Sequence, residues 1–219
     1  MKLNLSTLTL KLTAACLLLG SAQAADWVKL TSKPGSKVRM DGTSSIHDWY
    51  VEGAIIRGTF EVEPEFLTDK TLKSVKSLTT TEVNPKVELA IPVRSLKSSG
   101  GQKMDEIMQE AMNAKEHKDI TYKLKEMVVK GEVPASGTPV KFDTKGELTV
   151  NGVTQPCNME VTMERVDDSR VKFIGTQKLK MTDFKITPPA PSLAGGAITT
   201  GDDITVKFEW LVGTTPAAK

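Results

Sequence analysis

The feature that most constrains this chain is a two-residue alternation of apolar with polar side chains, repeated along most of its length. Val87, Leu89, Ile91 and Val93 alternate with polar or small residues, as do Ile120, Tyr122 and Leu124. Val140, Phe142, Leu148 and Val150 follow, then Val171, Phe173, Leu179 and Met181. Ile204, Val206, Phe208, Trp210 and Val212 make the cleanest run. Successive strand side chains point to opposite faces, so each run has one dry face and one wet face. That pattern belongs to an antiparallel sheet or barrel, because strands of a parallel sheet are buried on both sides. Further strands near 36–42, 48–63 and 72–82 bring the expected total to about eight or nine.

One hairpin tests the register. Asn151-Gly152 predicts a type I′ turn, whose two central residues both need positive φ. A two-residue turn there pairs Val150 with Val153, Leu148 with Gln155, Gly146 with Cys157, Phe142 with Val161 and Val140 with Met163. Nearly all of these fall on one apolar face. For the next connection, pairing Arg165 with Val171 sets Met163 opposite Phe173 and Val161 opposite Gly175. A slip of one residue would place Met159 against Lys178, which the dry face excludes. Gly146 and Gly175, both on that face, are expected to mark bends in the strands.

Residues 102–116 break the alternation. Met104, Ile107, Met108, Ala111 and Met112 recur at helical spacing, so one helix is expected there, started or capped by Ser98 or Ser99. Its methionine stripe reads either as plain core or as an adaptable apolar lid. Thr182 to Asp203, rich in proline and glycine, reads as a long surface loop. Residues 213–219 read as a frayed tail.

The N-terminus has the layout of an export signal. Lys2 supplies a positive start, Leu12–Gly20 a nine-residue apolar run, and Ser21-Ala22-Gln23-Ala24 a small-residue cleavage site. A bilayer core needs about 20 apolar residues, so this run does not span one. Thr13-Ala14-Ala15 lacks the leucine that a lipoprotein cut before Cys16 would require. Residues 1–24 are therefore expected to be removed, leaving a domain over 25–212 in the periplasm or outside the cell. The 29 Lys and Arg of the chain include Lys2 and Lys11, so the remainder has 27 to match its 27 Asp and Glu. Such a balance gives no electrostatic footprint for nucleic acid. It also leaves one cysteine, Cys157, unable to form an internal disulfide. Its alternation with Met159, Val161 and Met163 makes it a buried apolar side chain rather than a reactive thiol.

Chemistry-bearing residues are sparse. His47 and His117 are the only histidines. His47 reads as a structural polar residue near a barrel end, and His117 as a partner for the negative end of the preceding helix. No CxxC, HExxH, GxSxG, phosphate loop or GxGxxG occurs. No catalytic residue, metal ligand or cofactor is assigned.

Eight segments run in order through the chain: SSIHDW at 44–49, GTF at 58–60, IPVRSLKS at 91–98, MDEIMQEAM at 104–112 and HKDITYKL at 117–124. GELTVNGVTQP at 146–156, LKMTDFKITPP at 179–189 and TGDDITVKF at 200–208 continue the series. Their order and spacing resemble the YceI-like family, exported polyisoprenoid-binding proteins with a lipocalin-like barrel. His117-Lys118-Asp119 departs from it, standing where the family commonly has an aromatic segment ending in proline. The resemblance implies a mainly β fold: an eight-stranded antiparallel barrel, one end closed by the helix near 102–116, around an apolar tunnel. The lining expected from the inward faces is Phe60, Leu89, Ile91, Tyr122, Phe142, Leu148, Met159, Val161, Phe173 and Phe208, with Met104 and Met108 from the helix. Gly175, facing Val161, is expected to leave room for a ligand chain. The implied partner is an isoprenoid or other long-chain lipid, carried or sequestered without catalysis. The alternative is a structural or stress-related interaction protein with a filled barrel and no lipid. An enzyme using His47, Asp48 or Cys157 is a third reading, lacking a catalytic constellation. The mature protein is expected to begin at Ala25; N-terminal sequencing that finds Met1 retained in a membrane fraction would overturn this.

Overall fold

The computed structural model describes residues 27–79, 84–135, 137–193 and 196–215. The expected leader (1–24), the end of the expected 72–82 strand and residues 216–219 lie outside the described residues. The strands are β1 (Val28–Ser32), β2 (Lys37–Ser44), β3 (Trp49–Gly53), β4 (Arg57–Val62), β5 (Lys86–Pro92), β6 (Lys97–Ser98) and β7 (Asp119–Val129). They continue as β8 (Val140–Val150), β9 (Val153–Arg165), β10 (Arg170–Lys180), β11 (Ser192–Leu193), β12 (Gly196–Ala197) and β13 (Thr200–Thr214). The helices are α1 (Glu65–Thr68), α2 (Lys76–Thr79) and α3 (Gln102–Ala111). No helix among the described residues is long and apolar enough to cross a membrane.

Eight antiparallel strands close on themselves in the order β1-β4-β5-β7-β8-β9-β10-β13, and β13 returns to β1. Closure turns on the length of β13. Its end pairs with β1 at Val212–Thr214, while Thr200–Glu209 pairs with β2, which carries β3 and β6. The Asn151-Gly152 turn has φ of 50° and 72°, and the β8–β9 register is Val150↔Val153 through Val140↔Met163, as the hairpin argument requires. Arg165↔Val171, Met163↔Phe173 and Val161↔Gly175 are likewise paired.

The β7–β8 register shifts beside Gly146, between Leu124 and Glu126, and both glycines also make room for a ring. A Cβ on Gly175 would stand 2.4 Å from the Phe208 ring, and one on Gly146 would strike the Tyr122 phenol. Each glycine is the seat of an aromatic ring from a neighbouring strand, so the room expected at Gly175 is taken by Phe208.

The barrel interior is unequal along its axis. At the end holding the β7–β8 and β9–β10 loops it is sealed. Phe60 meets Phe66 edge-on at 5.1 Å and Phe173 at 5.3 Å, and Phe173 lies 5.8 Å from Trp210. Such pairs add about 0.5–1.5 kcal/mol each beyond their burial. The connection from β4 to β5 plugs this end with Phe66, Leu72, Val75 and Leu78, all fully buried. Glu63 ties the plug down: its buried carboxylate accepts hydrogen bonds from the Ser77 amide at 3.0 Å and from the Ser77 hydroxyl.

This plug corrects the expected 72–82 strand. Lys76–Thr79 is helical, and Leu72, Val75 and Leu78 recur every third residue, which places them together over the aromatic cluster. Among the described residues there are thus three α-helices, not one. The third is also shorter than expected and starts at Gly101 (φ 78°) without a serine cap. Ser99 Oγ instead accepts from the Tyr50 amide, and Ser98 Oγ from Gly100. The last strand continues to Thr214, two residues into the expected tail.

Phe66→Ala is expected to lower unfolding free energy by about 3–5 kcal/mol, since it empties the sealed end. Leu148→Ala, at the opposite end, should lower it by well under half of that. Urea midpoints of the two variants check the contrast; equal losses would mean both ends are equally filled.

Candidate functional site

Along single strands the inward side chains change character. On β13, Trp210 and Val212 are sealed, whereas Ile204, Val206 and Phe208 are only half-buried. On β8, Val140 and Phe142 are sealed and Leu148 is half-buried. An inward apolar side chain that stays partly accessible faces an internal space. That space is a cavity of about 440 Å³ in the half of the barrel that holds the Asn151-Gly152 turn. Its size lies within the range of pockets that enclose small ligands, about 300–1,000 Å³.

Of the expected lining, Phe60, Leu89, Ile91, Met104, Met108, Tyr122, Leu148, Met159, Val161, Phe173 and Phe208 all face this cavity. Phe142 does not: it is fully buried two residues along β8 from Thr144 toward the sealed end, although its ladder partner Val161 reaches the cavity. Phe60 and Phe173 form the floor. The half-buried Met104, Ile107 and Met108 with the buried Met112 form a roof, so the stripe covers the cavity while Met112 also joins the core and Met108 packs against it.

α3 is held over the cavity from its first turn. The Asp105 carboxylate accepts from the Ser98 amide at 2.6 Å and from Lys97 Nζ at 3.1 Å. The Ser98 amide, with Lys97 beside it, holds that carboxyl below the usual range despite burial. At its other end the chain passes Asn113 (φ 49°), and the His117 ring lies against Gly152 of the β8–β9 turn. His117 therefore links the helix exit to the turn.

Sequence reasoning missed the other half of the cover. The stretch expected as a surface loop from Thr182 buries Phe184 and Ile186 and brings Pro189, Pro191 and Ile198 to the cavity. It is moored by Asn151 Nδ2 donating to the Phe184 carbonyl and Gln155 Nε2 to the Asp183 carbonyl. The apolar residues of this stretch follow no single period, so no alternation announced them. His47 sits at the rim in the β2–β3 turn, its Nδ1 2.8 Å from the Asp48 carbonyl oxygen. Beside it Ile46, 62% exposed, also borders the opening.

Few polar groups face inward. Thr144 Oγ donates to the Met159 carbonyl at 2.9 Å. Beside it are the buried thiol of Cys157 and the phenol of Tyr122. Burial pushes the Cys157 thiol up. Burial, opposed in part by Thr144 and aided by Cys157, pushes the Tyr122 phenol up to about 12. Both stay protonated at neutral pH. Among the described residues no three His, Cys, Asp or Glu side chains gather where they would hold a metal ion. Arg and Lys are missing from the described lining, and His47 and Tyr122 are its titratable groups besides Cys157.

A thiol that is buried and held protonated reacts slowly. Labelling of Cys157 by a thiol reagent at neutral pH is expected to be slow in the folded protein and fast in denaturant. Rapid labelling of the native protein would put the thiol outside the barrel.

Residues 34–211 match the family described as the YceI-like domain. The fold is similar to the crystal structure of Burkholderia cenocepacia BcnA, at 17% identity over 80% of this chain and 95% of that one, with a TM-score of 0.56. It is also similar to a polyisoprenoid binding domain from Saccharophagus degradans implicated in plant cell wall breakdown. There the identity is 10% over 86% of this chain and 99% of the other, with a TM-score of 0.59. At such identities the likeness concerns the fold alone. No curated protein matches the chain at a significant level.

Proposed function

This chain belongs to the YceI-like domain family, and from that premise we propose that it is an exported carrier or sequestering protein for a long-chain, isoprenoid-like lipid, acting without catalysis. The observation that carries this reading is the roofed cavity of about 440 Å³ with a predominantly apolar lining. The polyisoprenoid-binding domain from Saccharophagus degradans, whose fold is similar, supports the same ligand class. Export rests on the sequence of residues 1–24 and places the carrier in the periplasm or outside the cell.

The energetics suit a hydrocarbon chain. Each CH₂-sized group moved from water into the cavity contributes about 0.8 kcal/mol, so one five-carbon isoprene unit contributes about 3–4 kcal/mol before ordering losses. A few enclosed units suffice for micromolar binding. The rival reading, a filled barrel with a structural role, has the sealed half in its favour. The half-buried inward side chains of the other half speak for the carrier.

Two measurements on one variant separate the readings. Met159 is half-buried on the cavity wall, opposite Thr144 in the β8–β9 ladder. Met159→Trp is expected to occupy the cavity, so lipid recovered per mole by solvent extraction and mass spectrometry should fall sharply while Tm shifts little. A wild-type protein that yields no lipid and takes up none would overturn the carrier. A large drop in Tm for the variant would mean the space is already filled.

A further inference from the structure

One inward polar group has no partner. Tyr122 Oη is sealed from solvent and meets no group in hydrogen-bond geometry among the described residues. Thr144 Oγ, its polar neighbour, donates to the Met159 carbonyl; it is close enough to oppose the rise of the phenol pKa but does not accept from Tyr122 Oη in hydrogen-bond geometry. An unmade hydrogen bond of this kind is unfavourable, since a buried donor keeps its full desolvation penalty. The phenol is parked over Gly146, where a Cβ would come within 2.3 Å of its oxygen, and no hydrogen bond holds it there. The ring itself is half-buried and faces the cavity. A turn of the side chain off Gly146 would therefore carry the oxygen toward the cavity centre.

This inference rests on the carrier reading and deepens it. We propose that Tyr122 reads the ligand: it turns from its seat on Gly146 and donates a hydrogen bond to a neutral acceptor oxygen, an alcohol or carbonyl, borne by the bound chain. The phenol is protonated at neutral pH, so it is a donor. Neutrality follows from the described lining, which offers no Lys or Arg to meet an anion; a phosphate or carboxylate brought to Tyr122 would be a buried, unpaired charge. A hydrocarbon of the same length fills the same space but leaves the donor unsatisfied.

The test compares farnesol, farnesene and farnesyl phosphate on delipidated wild-type protein and on Tyr122→Phe. The ratio of farnesol to farnesene affinity is expected to fall about tenfold in the variant, the size of one hydrogen bond, with farnesene binding unchanged. Farnesyl phosphate should bind more weakly than farnesol to wild type. The empty variant should melt no lower than wild type, because the change removes an unsatisfied donor; a phenol needed for packing or structure would lower it. With ring-labelled tyrosine the protein gives only two signals, from Tyr50 and Tyr122. Farnesol but not farnesene should shift one of them. An unchanged affinity ratio would overturn the role of Tyr122 while leaving the carrier intact. Farnesyl phosphate binding as tightly as farnesol would overturn the neutral-ligand assignment. If neither farnesol nor farnesene binds the wild type, the carrier reading falls and this inference with it.

Discussion

The structure depends on the closure of one antiparallel sheet. An open sheet of seven or eight strands would leave two rows of unpaired amides and carbonyls, and its apolar face would need a second layer to cover it. Here β13 removes both needs. It is long enough to pair with β10 along its length, with β2 over its first part and with β1 over its last three residues. Once β1 and β13 are joined, every inward side chain of the ring faces another inward side chain. A core then forms without a second sheet, and without a disulfide, since Cys157 is the only cysteine among the described residues.

Closure alone leaves open whether the interior is solid. An eight-stranded ring is near the size at which side chains fill the space or one ligand does. Here both outcomes occur in one barrel. Four aromatic rings and the connection after β4 fill one half to closure. In the other half Tyr122 lies across to Gly146 and Phe208 to Gly175, so two large side chains rest against the wall instead of crossing the interior. Two missing Cβ atoms thus widen the space that they border. The cover then comes from two segments with little in common: α3, pinned by Asp105, and the proline-rich stretch before β13, moored to the β8–β9 turn.

The sequence was most readable where a rule is local. Two-residue periodicity marked the long strands, and Asn151-Gly152 determined the β8–β9 register because few residue pairs adopt two successive positive φ values. The lining followed from the same alternation, since inward positions of a closed sheet are inward everywhere. Phe142 escaped that logic: alternation tells which face a residue occupies but not its height along the barrel, and height separates the sealed half from the hollow one. The helix at Lys76–Thr79 was misread for a different reason. Four residues make one turn, too short for a helical period to stand out from an alternating one. Ser98 and Ser99 looked like helix caps because nothing local revealed that strand β3 and the Gly100 turn would take their hydroxyls.

What the sequence determined by itself, then, was the class of fold, the faces of its strands and one exact turn, all set by steric and hydrophobic rules acting within a few residues. Its ordered segments also carried the family. The tertiary structure decided where the barrel is empty, because emptiness depends on groups from distant strands meeting or failing to meet. Phe208 reaches Gly175 from β13, Tyr122 reaches Gly146 from β7, and Phe60, Phe66, Phe173 and Trp210 gather from four separate segments. Excluded volume between such groups is a property of the assembled ring, and no window along the chain contains it.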